Sequence, residues 1–219
     1  MQLSVIDGIR FEKPEMNNEH WNKIFKKTES ENLGWYEKDF YQTLKFLNLI
    51  DHLGEKSVFI AGTGTSTLAE QLIGKCKSLI LNDISEEALS ISKKRMGKVK
   101  QPIEWLKADI GAELPIENKS IDVWIDRAVL HFLIDEDQID TYFKNLNEKI
   151  NVNGYALLAE FASHGAPKCA GLELHRYSIE ELIVRCGINF ELIQSESYTY
   201  INPEGGERPY IYCLFKKAY

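Results

Sequence analysis

The chain has 219 residues, 44% of them hydrophobic, and a formal net charge of −7. That length and apolar content suit one globular unit with a full core and a small extension. The acidic balance argues against a nucleic-acid partner, because proteins that bind nucleic acid show a basic footprint. No apolar run approaches the ~20 residues of a membrane span, so no membrane partner is expected either. Residues 1–14 contain acids and no long apolar stretch, which argues against a secretory signal. Cys76, Cys169, Cys186 and Cys213 include no CxxC pair. They suit a reducing cytoplasm, the expected location, and predict no metal site.

Residues 1–16 read as a polar arm. Asn17 or Asn18 caps a helix with Trp21, Ile24 and Phe25 on one face. Glu31-Asn32-Leu33-Gly34 breaks it. From about residue 37 to 53, Phe40, Leu44, Leu47 and Ile50 recur at helical spacing, and Gly54 stops that helix. Strands then alternate with helices. The predicted strands are 57–61, 78–82, 103–107, 121–126, 155–161, 190–200 and 210–216. The predicted helices are 66–73, one opening at Ser85-Glu86-Glu87, 136–150 and 178–186. The expected division is an arm and helical lid over residues 1–54 and one compact unit over 55–219.

This alternation predicts an α/β fold, Rossmann-like and doubly wound, with helices on both faces of a mostly parallel sheet. The loop 202–207 joins the last two strands as an antiparallel hairpin, so the sheet ends mixed. Ligands of such sheets bind beyond the carboxyl ends of the strands. Gly62, Asp83, Asp109 and Asp126 all fall at such ends.

Ala61-Gly62-Thr63-Gly64 follows a buried strand and leads into a helix. Glycines there let the backbone approach a ligand closely. Asp83 ends the second strand about 20 residues on, where a carboxylate can accept both hydroxyls of a ribose. Thr67 stands where a dinucleotide fingerprint has its third glycine. Its presence argues against a pyrophosphate on the helix start, and so against a nicotinamide dehydrogenase. Asp109 either accepts a purine exocyclic amine, with Ile84 and Ile110 against the ring faces, or caps its own turn. The basic cluster Lys93-Lys94-Arg95 complements a helix C-terminus.

The ordered set Ala61-Gly62-Thr63-Gly64, Asn82-Asp83-Ile84-Ser85, Ala108-Asp109-Ile110 and Asp122-Val123-Trp124-Ile125-Asp126-Arg127 resembles the class I S-adenosylmethionine-dependent methyltransferases, over about residues 20–217. The resemblance implies a seven-stranded sheet with its last strand inserted antiparallel, and S-adenosylmethionine as cofactor. It implies that Asp83 holds the ribose, that Asp109 holds the adenine amine, and that the glycine turn passes beside the methionine part. Many members carry an acid where this chain has Ile60. Asp126 or a group from the N-terminal segment is expected to compensate. A narrower resemblance, to the thiopurine methyltransferase group of small-molecule S-methyltransferases, rests on Asp-Arg-Ala-Val-Leu-His-Phe-Leu (residues 126–133) and on Trp35-Tyr36-Glu37. It implies that Trp21, Trp35 and Tyr36 form a lid and that Arg127 touches cofactor or substrate. Helix packing is the alternative for Trp21 and Trp35.

Methyl transfer from a sulfonium needs nucleophile, methyl and sulfur in line, with water excluded. Asp126, Arg127 and His131 follow the fourth strand and are the candidate catalytic residues. Arg127 would stabilise a thiolate or bind a carboxylate. His131 would accept a proton, or else is a hydrogen-bonded histidine on a half-buried face. Asp126 would hold both ligands, or else caps a helix. In this fold the loop after the fifth strand commonly lines the acceptor site, which makes Cys169, Arg176 and Tyr177 candidate substrate contacts; a lone cysteine is more often inert. The resemblance thus implies a methyltransferase acting on a small-molecule nucleophile, with a thiol as the candidate. The alternatives are a protein lysine methyltransferase, or a binding module without turnover.

Overall fold

The computed structural model describes residues 18–219. The expected arm over residues 1–16, and Asn17 as a cap, lie outside the described residues. The helices are α1 (Asn18–Lys27), α2 (Tyr41–Leu47), α3 (Leu68–Leu72), α4 (Glu86–Met96), α5 (Glu136–Lys149) and α6 (Ile179–Cys186). The strands are β1 (Ser57–Ala61), β2 (Ser78–Asp83), β3 (Ile103–Lys107), β4 (Ile121–Arg127), β5 (Ile150–Phe161), β6 (Lys168–Cys169), β7 (Leu172–Glu173), β8 (Phe190–Ile201) and β9 (Glu207–Lys217).

Seven strands form one sheet in the order β3-β2-β1-β4-β5-β9-β8. β1 pairs in parallel with β2 and β4, while β9 runs antiparallel between β5 and β8. The mixed end follows from the short connection: a tight loop can only return the chain antiparallel. Asn202 builds that loop, its side-chain oxygen accepting the N–H groups of Glu204 and Gly206. β6 and β7 make a separate two-stranded hairpin after β5.

Strand alternation splits the core between the two faces of the sheet. Phe59 and Trp124 face one side, with Tyr142 and Leu146 of α5 and Leu182 of α6. Val58, Ile60, Val123 and Ile125 face the other, with Phe46 and Leu47 of α2 and Leu72 of α3. A third cluster gathers Trp21, Phe25 and Leu33 with Phe132.

Three expected elements differ. The helix predicted over 37–53 shrinks to α2, because Phe40 turns left-handed at φ 52 and the preceding residues are drawn out toward the sheet, where Glu37 meets Arg127. The helix predicted from residue 66 begins at Leu68, its first turn given over to the glycine loop. β5 begins at Ile150, five residues early, and its pairing with β4 shifts between Ile121 and Val123. Asn153, at φ 64, marks that irregularity.

Candidate active site

A cavity of about 980 Å³, its open mouth included, runs along the carboxyl ends of β3, β2, β1 and β4. Trp21, Phe25, Trp35 and Phe132 roof it. Trp21 meets the ring of Phe132 edge-on at 4.9 Å and that of Trp35 at 5.8 Å. Such edge-to-face contacts suit aromatic quadrupoles and stiffen the roof. Trp21 and Trp35 are therefore packing anchors and cavity walls at once.

The glycine loop forms the floor. Gly62 sits at φ 51, and a Cβ there would stand 2.4 Å from Cγ2 of Val129. Gly64 sits at φ 54, facing the ring of Phe25. Glycine adopts this backbone without strain and leaves this space. The loop is tied down on every side. Asp83 Oδ2 accepts the Gly64 N–H at 2.7 Å, and its Oδ1 accepts the Ser85 N–H at 2.8 Å. The Thr63 N–H donates to the Asn82 carbonyl at 2.7 Å. Ser92 donates to the Gly64 carbonyl, and Arg95 to the carbonyls of Thr65 and Ser66. Burial pushes the Asp83 carboxyl up to about 6, against the pull of the Ser85 and Gly64 amides. At neutral pH it is ionised.

Asp83, Ile84, Asp109 and Ile110 all line the cavity, as do Trp35, Tyr36, Gly62, Thr63, Gly64 and Arg127. Asp109 ties its own turn, its Oδ1 accepting the Gly111 N–H at 2.8 Å, and the residue also borders the cavity.

Other expected residues stand elsewhere. Asp126 shares the α5 face with Trp124, because side chains two apart on a strand point the same way. It is fully buried, accepts the Val129 N–H at 3.1 Å and the Tyr142 hydroxyl at 2.8 Å, and is not among the cavity's lining residues. Its carboxyl holds the turn that follows β4. His131 is likewise fully buried, with Nδ1 2.7 Å from Glu160 Oε2. The expected proton acceptor is thus a core histidine: burial drops its pKa to about 3, against the pull of Asp126. Tyr177 is also fully buried and donates its N–H to Phe161. Arg176 bonds the Gly165 carbonyl at 2.9 Å, holding its own loop. Cys169 packs against the roof cluster, and burial pushes its thiol up. None of Cys169, Arg176 and Tyr177 lines the cavity.

Arg127 points away from Asp126, to the opposite face. Its Nη2 lies 2.9 Å from Glu37 Oε1, and its Nη1 donates to the Trp35 carbonyl at 3.1 Å. The rings of Tyr200 and Tyr210 flank the guanidinium at 5.3 and 5.5 Å. Glu37, Phe25, Asn82 and Phe132 are cavity residues that sequence reasoning missed. Only Asn82, a polar residue ending an apolar strand, gave a local signal.

Residues 58–154 match the methyltransferase domain family. That stretch spans β1 to β5, the strands that frame the cavity. No curated protein matches the chain. Solved structures share the fold at low identity. An S-adenosylmethionine-dependent methyltransferase from Anabaena variabilis is 15% identical, with a TM-score of 0.71 over 91% of this chain and 93% of its own. The N-methyltransferase NodS from Bradyrhizobium japonicum, in complex with S-adenosyl-L-homocysteine, is 14% identical, with a TM-score of 0.68 over 91% of this chain and 100% of its own. A putative methyltransferase in complex with the Haloferax volcanii Trm112 methyltransferase activator is 11% identical, with a TM-score of 0.72 over 91% of this chain and 98% of its own.

The residues present fit S-adenosylmethionine as the cofactor. The floor lacks the Cβ atoms that would fill it, and buried polar atoms on cavity-lining residues keep no hydrogen-bond partner, among them Thr65 Oγ1, Asn82 Oδ1, Glu37 Oε2 and Arg127 Nε. Among the described residues, no helix is long and apolar enough to cross a membrane, and no cluster of His, Cys, Asp or Glu could hold a metal.

The buried pair His131 and Glu160, behind the cavity, carries a stability prediction. Burial raises Glu160 to about 8, against the backbone and charge contacts that favour its ionised form. Burial raises Asp126 in the same direction. The folded state therefore holds the Glu160 proton from the ordinary carboxylate range up to about 8. His131 works oppositely, since only the unfolded state protonates it between about 3 and its ordinary value of 6.5. Between pH 6.5 and 8 His131 is neutral in both states, so the folded state's hold on the Glu160 proton makes stability fall toward pH 8, by ~1.4 kcal/mol per pH unit for that proton, and Asp126 acts in the same direction. Denaturant unfolding at pH 6.5 and 8 reads this slope. Glu160→Gln, which mimics the neutral carboxyl, should flatten it; an unchanged slope would refute the assignment.

Proposed function

We propose that the chain transfers a methyl group from S-adenosylmethionine to a small-molecule nucleophile, a thiol or a similarly soft or anionic group, in the cytoplasm. The cofactor supplies an electrophilic methyl on a sulfonium. The chain's own residues bind, orient and exclude water: the glycine loop and Asp83 seat the nucleoside, and the aromatic roof closes over it.

The observation that carries the thiol reading is the set of titratable side chains around the cavity. Among the described residues these are Glu37 paired with Arg127, Asp83 and Asp109 engaged with backbone N–H groups, and Tyr36. His131 is buried behind them. A thiol ionises near a pKa of about 8.5 and needs no strong base, whereas a lysine amine near 10.4 does. The resemblance of residues 126–133 to the thiopurine methyltransferase group points the same way.

Incubation with labelled cofactor and a panel of thiols, amines and cell lysate tests this. Labelled small thiols are the expected product. A labelled protein band would favour a protein lysine methyltransferase, and labelled small amines would bring the chain closer in chemistry to the N-methyltransferase NodS. No labelled product from any acceptor would leave a binding module.

A further inference from the structure

The order β3-β2-β1-β4 lays the cavity out as a line. Asp109 and Ile110 follow β3, and Asp83 ends β2, so the nucleoside half of the cofactor is provided for at that end. The cofactor's other end is an amino acid, an ammonium and a carboxylate on one carbon. A zwitterion leaving water needs a counter-charge for each group. Ile60 and the glycine loop offer none. Among the described residues, the charged side chains lining the cavity beyond Asp83 and Asp109 are Glu37 and Arg127.

These two have the character of a built site. Their side chains are 8% and 10% exposed, and they form an ion pair at 2.9 Å. Glu37 Oε2 and Arg127 Nε are buried without a hydrogen-bond partner. Arg127 is held from behind by the Trp35 carbonyl and by two tyrosine rings. The chain before α2 forgoes a helical turn to place Glu37 there, with Phe40 left-handed as the result. A buried ion pair is weak evidence of stabilisation in itself, since desolvation opposes its attraction. A pair with spare acceptor and donor atoms beside a cavity is suited to a ligand of matching, opposite charges.

We propose that Glu37 and Arg127 form the clamp for the amino-acid end of the cofactor, with Glu37 taking the ammonium and Arg127 the carboxylate. The clamp rests on the S-adenosylmethionine reading and supplies the acid that β1 lacks at Ile60.

Calorimetry on the full chain separates the two claims. S-adenosylhomocysteine carries the amino-acid end, and 5′-methylthioadenosine keeps the nucleoside and thioether without it. The unaltered chain should bind S-adenosylhomocysteine the more tightly. Glu37→Gln keeps the shape and loses the charge. It should weaken S-adenosylhomocysteine by about 10-fold or more, the scale of a lost charged hydrogen bond, and leave 5′-methylthioadenosine unchanged. Equal loss for both ligands, or no loss for either, would overturn the clamp. An analogue of S-adenosylhomocysteine without its amino group gives the same readout on the unaltered chain: it should bind more weakly by a similar factor, and equal affinity would overturn the role of Glu37. If the unaltered chain bound neither nucleoside, the cofactor reading would fall, and the clamp with it.

Discussion

Asp83→Ala weakens S-adenosylhomocysteine binding by about 10- to 100-fold, the equivalent of roughly 1.5–3 kcal/mol for hydrogen bonds to a charged group. Two losses combine. The ribose hydroxyls lose their acceptor, and the Gly64 and Ser85 N–H groups lose theirs. The second loss loosens the glycine loop itself, so the effect exceeds that of a simple surface contact. Asp83→Asn does not rescue, because its amide would turn a donor toward one of these N–H groups. The same carboxylate gives binding a pH dependence. With Asp83 at about 6, affinity falls as pH drops below that value, since a protonated carboxyl no longer accepts at both oxygens. Titrations at pH 5.5 and 7.5 test the direction. An affinity indifferent to both the substitution and pH would remove Asp83 from the site.

Gly62→Ala is the second large effect, and it acts through the backbone. At φ 51 an alanine costs about 1–2 kcal/mol relative to glycine, and its Cβ would press to 2.4 Å from Cγ2 of Val129. Overpacking of this kind adds roughly 1–3 kcal/mol. The total, about 2–5 kcal/mol, should appear as a lower thermal midpoint and as lost cofactor affinity. Pairing the change with Val129→Ala removes the closest methyl groups and should restore part of the stability, leaving the backbone penalty. No recovery in the double variant would mean that the steric account of this turn is wrong.

The sheet was largely legible in the sequence because its signals are local. Apolar runs, Ala61-Gly62-Thr63-Gly64, and an acid after a buried strand each announce themselves within a few residues. The mixed end was legible for the same reason, from the short loop 202–207. Asp83 and Asp109 could be placed because strand ends and the pocket coincide in this topology.

What escaped was long-range. Glu37 sits in a stretch whose apolar spacing reads as helix, and only Arg127, distant in sequence, explains why it is not. Arg127 and Asp126 are neighbours in the chain, yet strand alternation sends one toward the cavity and the other into the α5 face. Counting from Trp124 would have separated them. His131 lies in a short turn, Leu130–Phe132, whose three side chains are all buried. Nothing in Leu-His-Phe announces that Glu160 waits beneath it. For Arg176 and Tyr177, position in the loop after β5 suggested the acceptor site. Their actual partners, Gly165 and Phe161, are backbone groups that any sequence supplies.

Calorimetric titration of the unaltered chain with S-adenosylhomocysteine and with NAD tests the central claim, that the rim of β3-β2-β1-β4 receives a nucleoside without phosphates. Micromolar binding of S-adenosylhomocysteine and none of NAD is the expected result. Binding of NAD with no response to the sulfur nucleoside would contradict it.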